Sequence, residues 1–568
     1  MSIATKKRLI AAAAAVAAGA LLLSGCSTGG SGGGSTSGAS GSADAAKDQA
    51  DYNPQPRENL KEGGTFTTAT TEISAQFNPF HADGTLYTSN VWRWYNPVIA
   101  LFDADGTWHA NEDYLSDVKK EDVDGKTVVT YTINPKAQYN DGTPIDWKSF
   151  ENTWKSNDGE NKDYAVSSTD GYVQIESVKA GKDDRQAVVT FKGEYAWVDG
   201  LFNFLLNPEV KDANMFNTAY VETPHAEWGA GPYTVDNYDK NNGTISFKRN
   251  DKWWGDKGLL DSRTFKTMES SASINAFKNG EIDATSASSQ DRLAQVKDMK
   301  DINILRGGST ANYLLMLNSA APSLDDLQVR TAIMKGIDRS VIAKIEFQGL
   351  DYTEKEPGSF NQFSYQPGYQ DNYAKAGLGF DKDAAAKLLD EAGWKQAKDG
   401  DIREKDGKKL SIQFTTLGDD PTSAAEAKAI NSMLAEIGVD AKIENRPSSE
   451  FSEVYTKREF GMFMMGFSSS DPFGFAYFCQ IYCSDSTLNL SGTATPEMDK
   501  EIAEIAKIGN PDDQIKQGNE LEAKLLKETA GIMPMYNGPT IVAVKKGLAN
   551  YGAGLFFQGK PQDLGWEK

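Results

Sequence analysis

The stretch LSIQFTTLGDDPTSAAEAKAINSMLAEIGVDAKI, residues 410–443, carries two hydrophobic periods in succession. Leu410, Ile412 and Phe414 alternate with polar neighbours, as one face of a strand requires. Ile430, Met433, Leu434 and Ile437 then recur at helical spacing, and Val439, Ala441 and Ile443 alternate again. Gly438 stands where the helix must end in a left-handed residue. Strand, helix and strand in this order predict a right-handed parallel crossover, and so an α/β domain.

Working outward, residues 460–467 read as another apolar strand, which runs into the loop Ser468-Ser469-Ser470-Asp471-Pro472-Phe473-Gly474. In open α/β sheets ligands sit at loops leaving the carboxyl ends of strands, so this loop is the first candidate site. Two amphipathic helices are predicted at 498–508 and 515–529, broken by Asn510-Pro511, before a strand at 532–536. The aromatic, Gly-rich segment 551–557 is expected to pack. Upstream, residues 63–71 read as a Thr-rich strand leading into Phe77-Asn78-Pro79-Phe80, and strands recur near Val129 and Val188. Asp146 caps a helix with Trp147, Phe150 and Trp154 on one face. A hairpin turning at Asn242-Gly243 follows Gly229-Ala230-Gly231-Pro232-Tyr233.

The chain has 568 residues and a net charge of −21, with no basic stripe, which argues against nucleic acid as a partner. Its amino terminus has Lys6, Lys7 and Arg8 before an apolar run that ends at Leu23-Ser24-Gly25-Cys26. This is the layout of a signal peptide, 1–25. The tetrapeptide resembles the lipobox of bacterial lipoproteins, which implies that Cys26 carries a diacylglyceryl group and anchors the chain to a membrane. An ordinary secretory signal with an incidental cysteine is the alternative. The Gly/Ser/Thr/Ala-rich stretch that follows cannot bury enough surface to order itself, and a tether is assigned to 26–60. Cys479 and Cys483 then face an oxidising compartment, and a local disulfide is expected, with two free thiols or a metal site as alternatives. His81, His109 and His225 are scattered, so no metal and no cofactor is expected. No His-Glu-x-x-His, Ser-x-x-Lys or credible nucleophile elbow occurs, and the chain is read as a non-enzyme.

Several segments occur in a telling order: Asp141-Gly142-Thr143-Pro144, Gly231-Pro232-Tyr233, Arg249-Asn250 with Trp254-Gly255, Asn318, Leu327-Gln328-Val329-Arg330, Ile337-Asp338-Arg339, Gln348-Gly349, and Ala385-Lys387-Leu388-Leu389 with Ala392-Gly393-Trp394. Together, from about residue 63 to 557, they resemble solute-binding family 5, the dipeptide, oligopeptide and nickel class serving bacterial ABC importers. The resemblance implies a periplasmic-binding-protein-like α/β fold of two lobes with a two-segment hinge. Lobe 1 is expected at 61–102, 229–305 and 537–568, an inserted subdomain at 103–228, lobe 2 at 313–527, and hinge crossings at 306–312 and 528–536.

In peptide-binding members, the loop matching 468–474 supplies an aspartate to the ligand's ammonium. Here Ser470 falls near that position and Asp471 stands beside Pro472. The arginine that clamps a dipeptide carboxylate in some relatives is replaced by Leu417-Gly418-Asp419-Asp420-Pro421, which favours longer peptides or an uncharged solute. Phe77, Asn78, Phe467 and Phe473 are further ligand-contact candidates. The resemblance implies a peptide or other small-molecule ligand, ABC permease partners, a monomer, and a place on the outer face of the cytoplasmic membrane. An oligosaccharide stacking on Trp92, Trp94 and Tyr95 is the alternative ligand. A secreted hydrolase is the rival from a different class.

Overall fold

The computed structural model describes residues 49–568 other than Asp399, Ser470 and Thr487. The crossover read from residues 410–443 is present. Strand Ser411–Leu417 lies parallel to Asp440–Arg446, and helix Pro421–Glu436 connects them. Asp420 caps that helix by accepting from the Thr422 amide, Pro421 fills its first turn, and Gly438 takes φ +82° just beyond it. Met462–Ser468 adds in parallel to Ser411–Leu417. Ala311–Leu317 and Ile532–Tyr536 close the five-stranded sheet as antiparallel strands. Leu410, Ile412, Phe414, Ile430, Leu434 and Val439 are buried in its core, whereas Ile443 on the edge strand is 39% exposed.

A second sheet has seven strands in the order Ile302–Gly308, Pro539–Lys545, Ala284–Ser286, Thr65–Thr70, Ser262–Thr267, Thr244–Arg249 and Tyr233–Asp239. An aromatic core with Phe66, Trp92, Tyr95, Tyr233 and Phe247 packs in this lobe. A separate apolar cluster gathers Ile274, Phe277, Leu293 and Val296 from helices Ser270–Lys278 and Gln290–Val296. The inserted subdomain is an antiparallel sheet, Leu115–Val123, Lys126–Ile133, Gln186–Phe191 and Ile175–Ala180, with helix Trp147–Asn157 laid on it. Phe150 and Trp154 enter its core, while the Trp147 indole donates to Asp184 nearer the surface. That core also takes in Ile99 and Ala230, beyond the stretch 103–228.

Two boundaries differ from those read in the sequence. Of the stretch assigned to a tether, 26–60, residues 26–48 lie outside the described residues, and those from Gln49 on are packed against the lobe. The Gln49 carbonyl accepts from the Gly308 amide, Asp51 bridges Ala553, Tyr52 stacks on Phe557 at 4.0 Å, and Leu60–Lys61 pairs with Gly565–Glu567. These residues bring an aromatic ring and strand hydrogen bonds to the lobe. The crossings are set by where each strand changes sheet. Ile302–Gly308 belongs to the seven-stranded sheet and Ala311–Leu317 to the five-stranded one, so the first crossing is Ser309-Thr310. Ile532–Tyr536 lies wholly inside the five-stranded sheet, so the second crossing is Asn537-Gly538, beyond 528–536.

Candidate functional site

The two lobes meet along a seam of cross-lobe hydrogen bonds. Glu72, at the end of the lobe 1 strand Thr65–Thr70, accepts from Ser452 Oγ at 2.9 Å, and Thr85 Oγ1 holds the carboxylate from its own side. Burial raises the Glu72 pKa. Glu269 accepts from the Ser448 amide at 2.9 Å and the Ser448 hydroxyl at 2.6 Å, and Ser271 donates to Asp419. On the subdomain side, Asp170 accepts from the Gln480 amide at 2.7 Å, and Tyr477 Oη donates to the Gly200 carbonyl at 3.2 Å. Gly106 lets Pro472 approach so closely that a Cβ there would lie 2.7 Å from its ring.

The hinge is braced from lobe 2. Glu354 Oε1 accepts from the Asn537 amide at 2.7 Å and Oε2 from the Gly538 amide at 3.0 Å, so one carboxylate grips both residues of the second crossing. Asn537 Nδ2 in turn donates to the Ala311 carbonyl and to Asn312 Oδ1, tying the second crossing to the strand that follows the first.

Between seam and hinge the walls carry charge of both signs. Arg93, just past helix Leu86–Trp92, donates its backbone amide to the Ser89 carbonyl and holds its guanidinium 5.1 Å above the Phe204 ring. Desolvation lowers its pKa to about 10, against the opposing pull of Asp471 across the seam. Near the hinge the signs reverse. Tyr313, 40% exposed, stacks on Tyr536 at 4.9 Å, and the Tyr536 hydroxyl donates to Glu426 Oε2 at 3.3 Å. Burial, with the charges of Asp420 and Glu354 added, raises the Glu346 pKa to about 8.

The residues singled out from sequence separate into two places. Phe77 and Asn78 lie in the lobe 1 core, 2% and 0% exposed: Phe77 meets Tyr238 edge-on, and Asn78 accepts from the Phe80 amide and donates to the Phe216 carbonyl. Phe467 lies near the end of strand Met462–Ser468, and Asp471 and Phe473 on the loop that leaves it. Phe467 pairs with Asn312, and Phe473 docks against Phe102 and Trp197 at ring distances of 6.2 and 5.9 Å. Asp471 is 2% exposed, and its two oxygens accept from the Phe473 amide and the Tyr477 hydroxyl. Ser470 and Cys26 lie outside the described residues. Cys479 and Cys483 are bonded to each other beside Asp485, so their sulfurs offer no thiolate to a metal. Trp92, Trp94 and Tyr95 are core residues rather than a stacking platform, each at most 9% exposed.

Arg93, Tyr313, Glu346 and Glu426 were not singled out from sequence. Glu426 had a signal: it lies four and eight residues before Ile430 and Leu434, on the buried stripe of its helix, where a carboxylate needs a reason. Arg93 and Glu346 carry no such mark in a chain with 80 acidic and 59 basic residues.

Residues 108–489 match the family described as "Bacterial extracellular solute-binding proteins, family 5 Middle". The oligopeptide-binding protein OppA of Mycobacterium tuberculosis is 32% identical over 514 residues, covering 89% of this chain and 85% of that protein. The nickel-binding periplasmic protein of Escherichia coli is 24% identical over 433 residues, covering 72% of this chain and 77% of its own. Among solved structures, the fold is similar to the periplasmic EDTA-binding protein EppA, with TM-score 0.76, 22% identity, and 92% and 99% of the two chains covered. It is equally similar to AppA from Bacillus subtilis in complex with a nonapeptide, with TM-score 0.76, 17% identity, and 90% and 100% covered. No helix among the described residues is long and apolar enough to cross a membrane. The matched relatives are solute-binding proteins and not enzymes, which gives this chain a substrate-binding role for an ABC importer. The chain belongs to family 5 of the bacterial extracellular solute-binding proteins.

Proposed function

We propose that this protein is a lipid-anchored receptor that captures oligopeptides between its lobes and delivers them to an ABC importer. The observation that carries the ligand class is the 32% identity, over 89% of the chain, to a protein named for oligopeptide binding. The seam supports capture: carboxylates on one lobe meet hydroxyls and amides on the other, contacts that form only when the lobes come together. In this reading Asp471 orders the loop 471–477 and sets the field around Arg93, and Arg93 with Phe467 faces the ligand. The buried Trp92, Trp94 and Tyr95 remove the feature that favoured a sugar. The three histidines stay apart, His81 on the Asp83 amide, His109 on Asp103 and His225 on Glu227, which gives nickel no ligand cluster among the described residues.

Native mass spectrometry of the purified protein, followed by titration calorimetry with peptides of two to ten residues, tests the ligand class. Co-purifying peptides and saturable binding are expected. Silence across that length range, or a response confined to an oligosaccharide panel, refutes it. The anchor rests on Leu23-Ser24-Gly25-Cys26 alone. An acylated Cys26 peptide from membranes, and release of the chain by Cys26→Ala, are the expected results, and an unmodified Cys26 in the membrane fraction overturns it.

A further inference from the structure

We propose that the hinge end of the interlobe space is a subsite for an organic cation, an ammonium or guanidinium group of the ligand, formed by Glu346, Glu426 and Asp420 with Tyr313 as its aromatic wall. The inference rests on the solute-binding reading and narrows the ligand it admits.

The site is assembled from two helices. Glu346 is the last residue of Arg339–Glu346, which packs against Pro421–Glu436; the second helix carries Glu426 and is capped by Asp420. Three carboxylates therefore converge from separate elements, where a solvated helix face would spread them. Neighbouring groups offset only part of the Asp420 charge, through Arg292. Glu354 adds a fourth negative charge and is committed to the amides of the crossing and to Tyr352. Arg292 faces Asp419 and Asp420 from lobe 1, but its guanidinium donates to Ser270, Ser273, Thr285 and the Ser286 carbonyl. Among the described residues no lysine or arginine forms an ion pair with Glu346 or Glu426.

The observation that points beyond a mere acidic patch is Glu426 itself. It is 1% exposed, its Oε2 is held by Tyr536, and its Oε1 is buried with no hydrogen-bond partner. A buried carboxylate oxygen without a donor is costly, and such groups in folded proteins are ordinarily satisfied. The missing donor has an obvious chemistry. An N–H of a cationic group would satisfy Oε1 and be attracted by Glu346 and Asp420. The Tyr313 ring, 40% exposed and seated on Tyr536, offers the same group a π face, which an organic cation uses and a hydrated metal ion does not. Mutual repulsion adds to burial in holding Glu346 and Glu426 above the ordinary carboxylate range, the condition that a bound cation relieves.

The test uses the purified full-length protein at pH 7.5 and calorimetry with N-acetylated penta-alanine and its N-acetylated single-position Lys, Arg, norleucine and Glu derivatives. Lysine or arginine at one position is expected to bind about tenfold or more tighter than norleucine or glutamate there. E346Q and E426Q should each abolish that preference. Glu346 is half-buried where Glu426 is fully buried, so E346Q decides if E426Q lowers the melting temperature. Equal affinity for the lysine and norleucine peptides, or a preference that survives E346Q, overturns the subsite. If no pentapeptide binds, the oligopeptide reading fails separately, and spermidine and arginine amide become the probes. Saturable binding of either, lost in E346Q, sustains the subsite. Binding of neither, or displacement of both by millimolar Mg²⁺, overturns it.

Discussion

Replacing Asp170 with asparagine probes what holds the lobes together. Asp170 Oδ2 accepts from the Gln480 amide at 2.7 Å across the seam and from Ser168 Oγ at 3.1 Å within its own loop. Enclosure by lobe 2 dominates its titration, Asp485 adds repulsion, and the pKa rises to about 7 from the ordinary 3.8. With the lobes apart the carboxyl meets water and returns to its ordinary value. An acid whose pKa is raised on closure favours closure fully below about pH 4, and that contribution is lost as pH rises through about 7. At about 1.4 kcal/mol per pKa unit, the loss between pH 5 and pH 7 is about 2 kcal/mol, and about 1 kcal/mol once water screens the edge of Asp170 that stays accessible. Asparagine keeps an acceptor for Gln480 and cannot ionise. Ligand affinity of the protein that keeps Asp170, measured by calorimetry with a peptide that does not itself titrate, should therefore weaken about five- to thirtyfold between pH 5 and pH 7. Asp170→Asn should be flat. Both proteins carry Glu346→Gln in this series, because Glu346, raised to about 8, would add its own slope across the same window. The same slope in both proteins would refute the assignment, as would an Asp170→Asn protein that no longer binds at pH 5.

Three further outcomes follow from the geometry. Glu522, fully buried, accepts from Ser359 Oγ, the Phe360 amide, Asn361 Nδ2, Asn372 Nδ2 and Tyr482 Oη. Glu522→Ala strands these donors and should cost about 3–5 kcal/mol in denaturant unfolding, with Glu522→Gln costing less. Exchanging Cys479 and Cys483 for serine opens a loop of only four residues' separation, so the melting temperature should fall by no more than about 2 kcal/mol implies, while ligand affinity drops further because the turn presents the Gln480 amide to Asp170. Glu346 is faced by Asp420, Glu354 and Glu426, with Tyr313 and Tyr536 beside them. Its raised pKa stabilises the empty protein below about 4.5, and that stability is lost as pH climbs through about 8. A pH series of thermal melts should show this fall, and Glu346→Gln should flatten it.

The sheet of lobe 2 was legible because both of its periods are strong and uninterrupted, and Gly438 marks their junction. Ile443 escaped that pattern because an edge strand has one flank without a neighbour, so alternation there no longer reports burial. The second crossing was misplaced for a related reason. All five residues of Ile532–Tyr536 are buried, and a uniform apolar run does not say which sheet it joins; the usable signal was Asn537-Gly538, where Gly538 takes φ +74°. Phe77 and Asn78, candidates from the loop after the first strand, are buried in the lobe 1 core, where Asn78 closes a turn of its own, and local sequence does not report that burial. The carboxylates at the hinge end come from residues 346, 420 and 426. Only the packing of one helix on another brings them together, a relation that no local spacing encodes.

That packing also links ligand charge to lobe movement. Glu354 grips the amides of Asn537 and Gly538, and its charge falls on Glu346. Approach of lobe 1 on closure strips water from these lobe 2 carboxylates, so the energy of their repulsion depends on the hinge angle. A cation seated on Glu346 and Glu426 cancels the repulsion where the carboxylates are most crowded, which is where the lobes also meet through Glu72, Glu269 and Asp170. The differential stabilisation is what a ligand needs in order to shift an open–closed equilibrium, since affinity shared equally by both states shifts nothing. A neutral ligand of the same shape fills the space but leaves the repulsion in place. It should therefore bind with a smaller change in radius of gyration by small-angle scattering than its lysine-bearing counterpart at equal saturation. An identical change for the two would separate recognition from closure and place the hinge's response elsewhere.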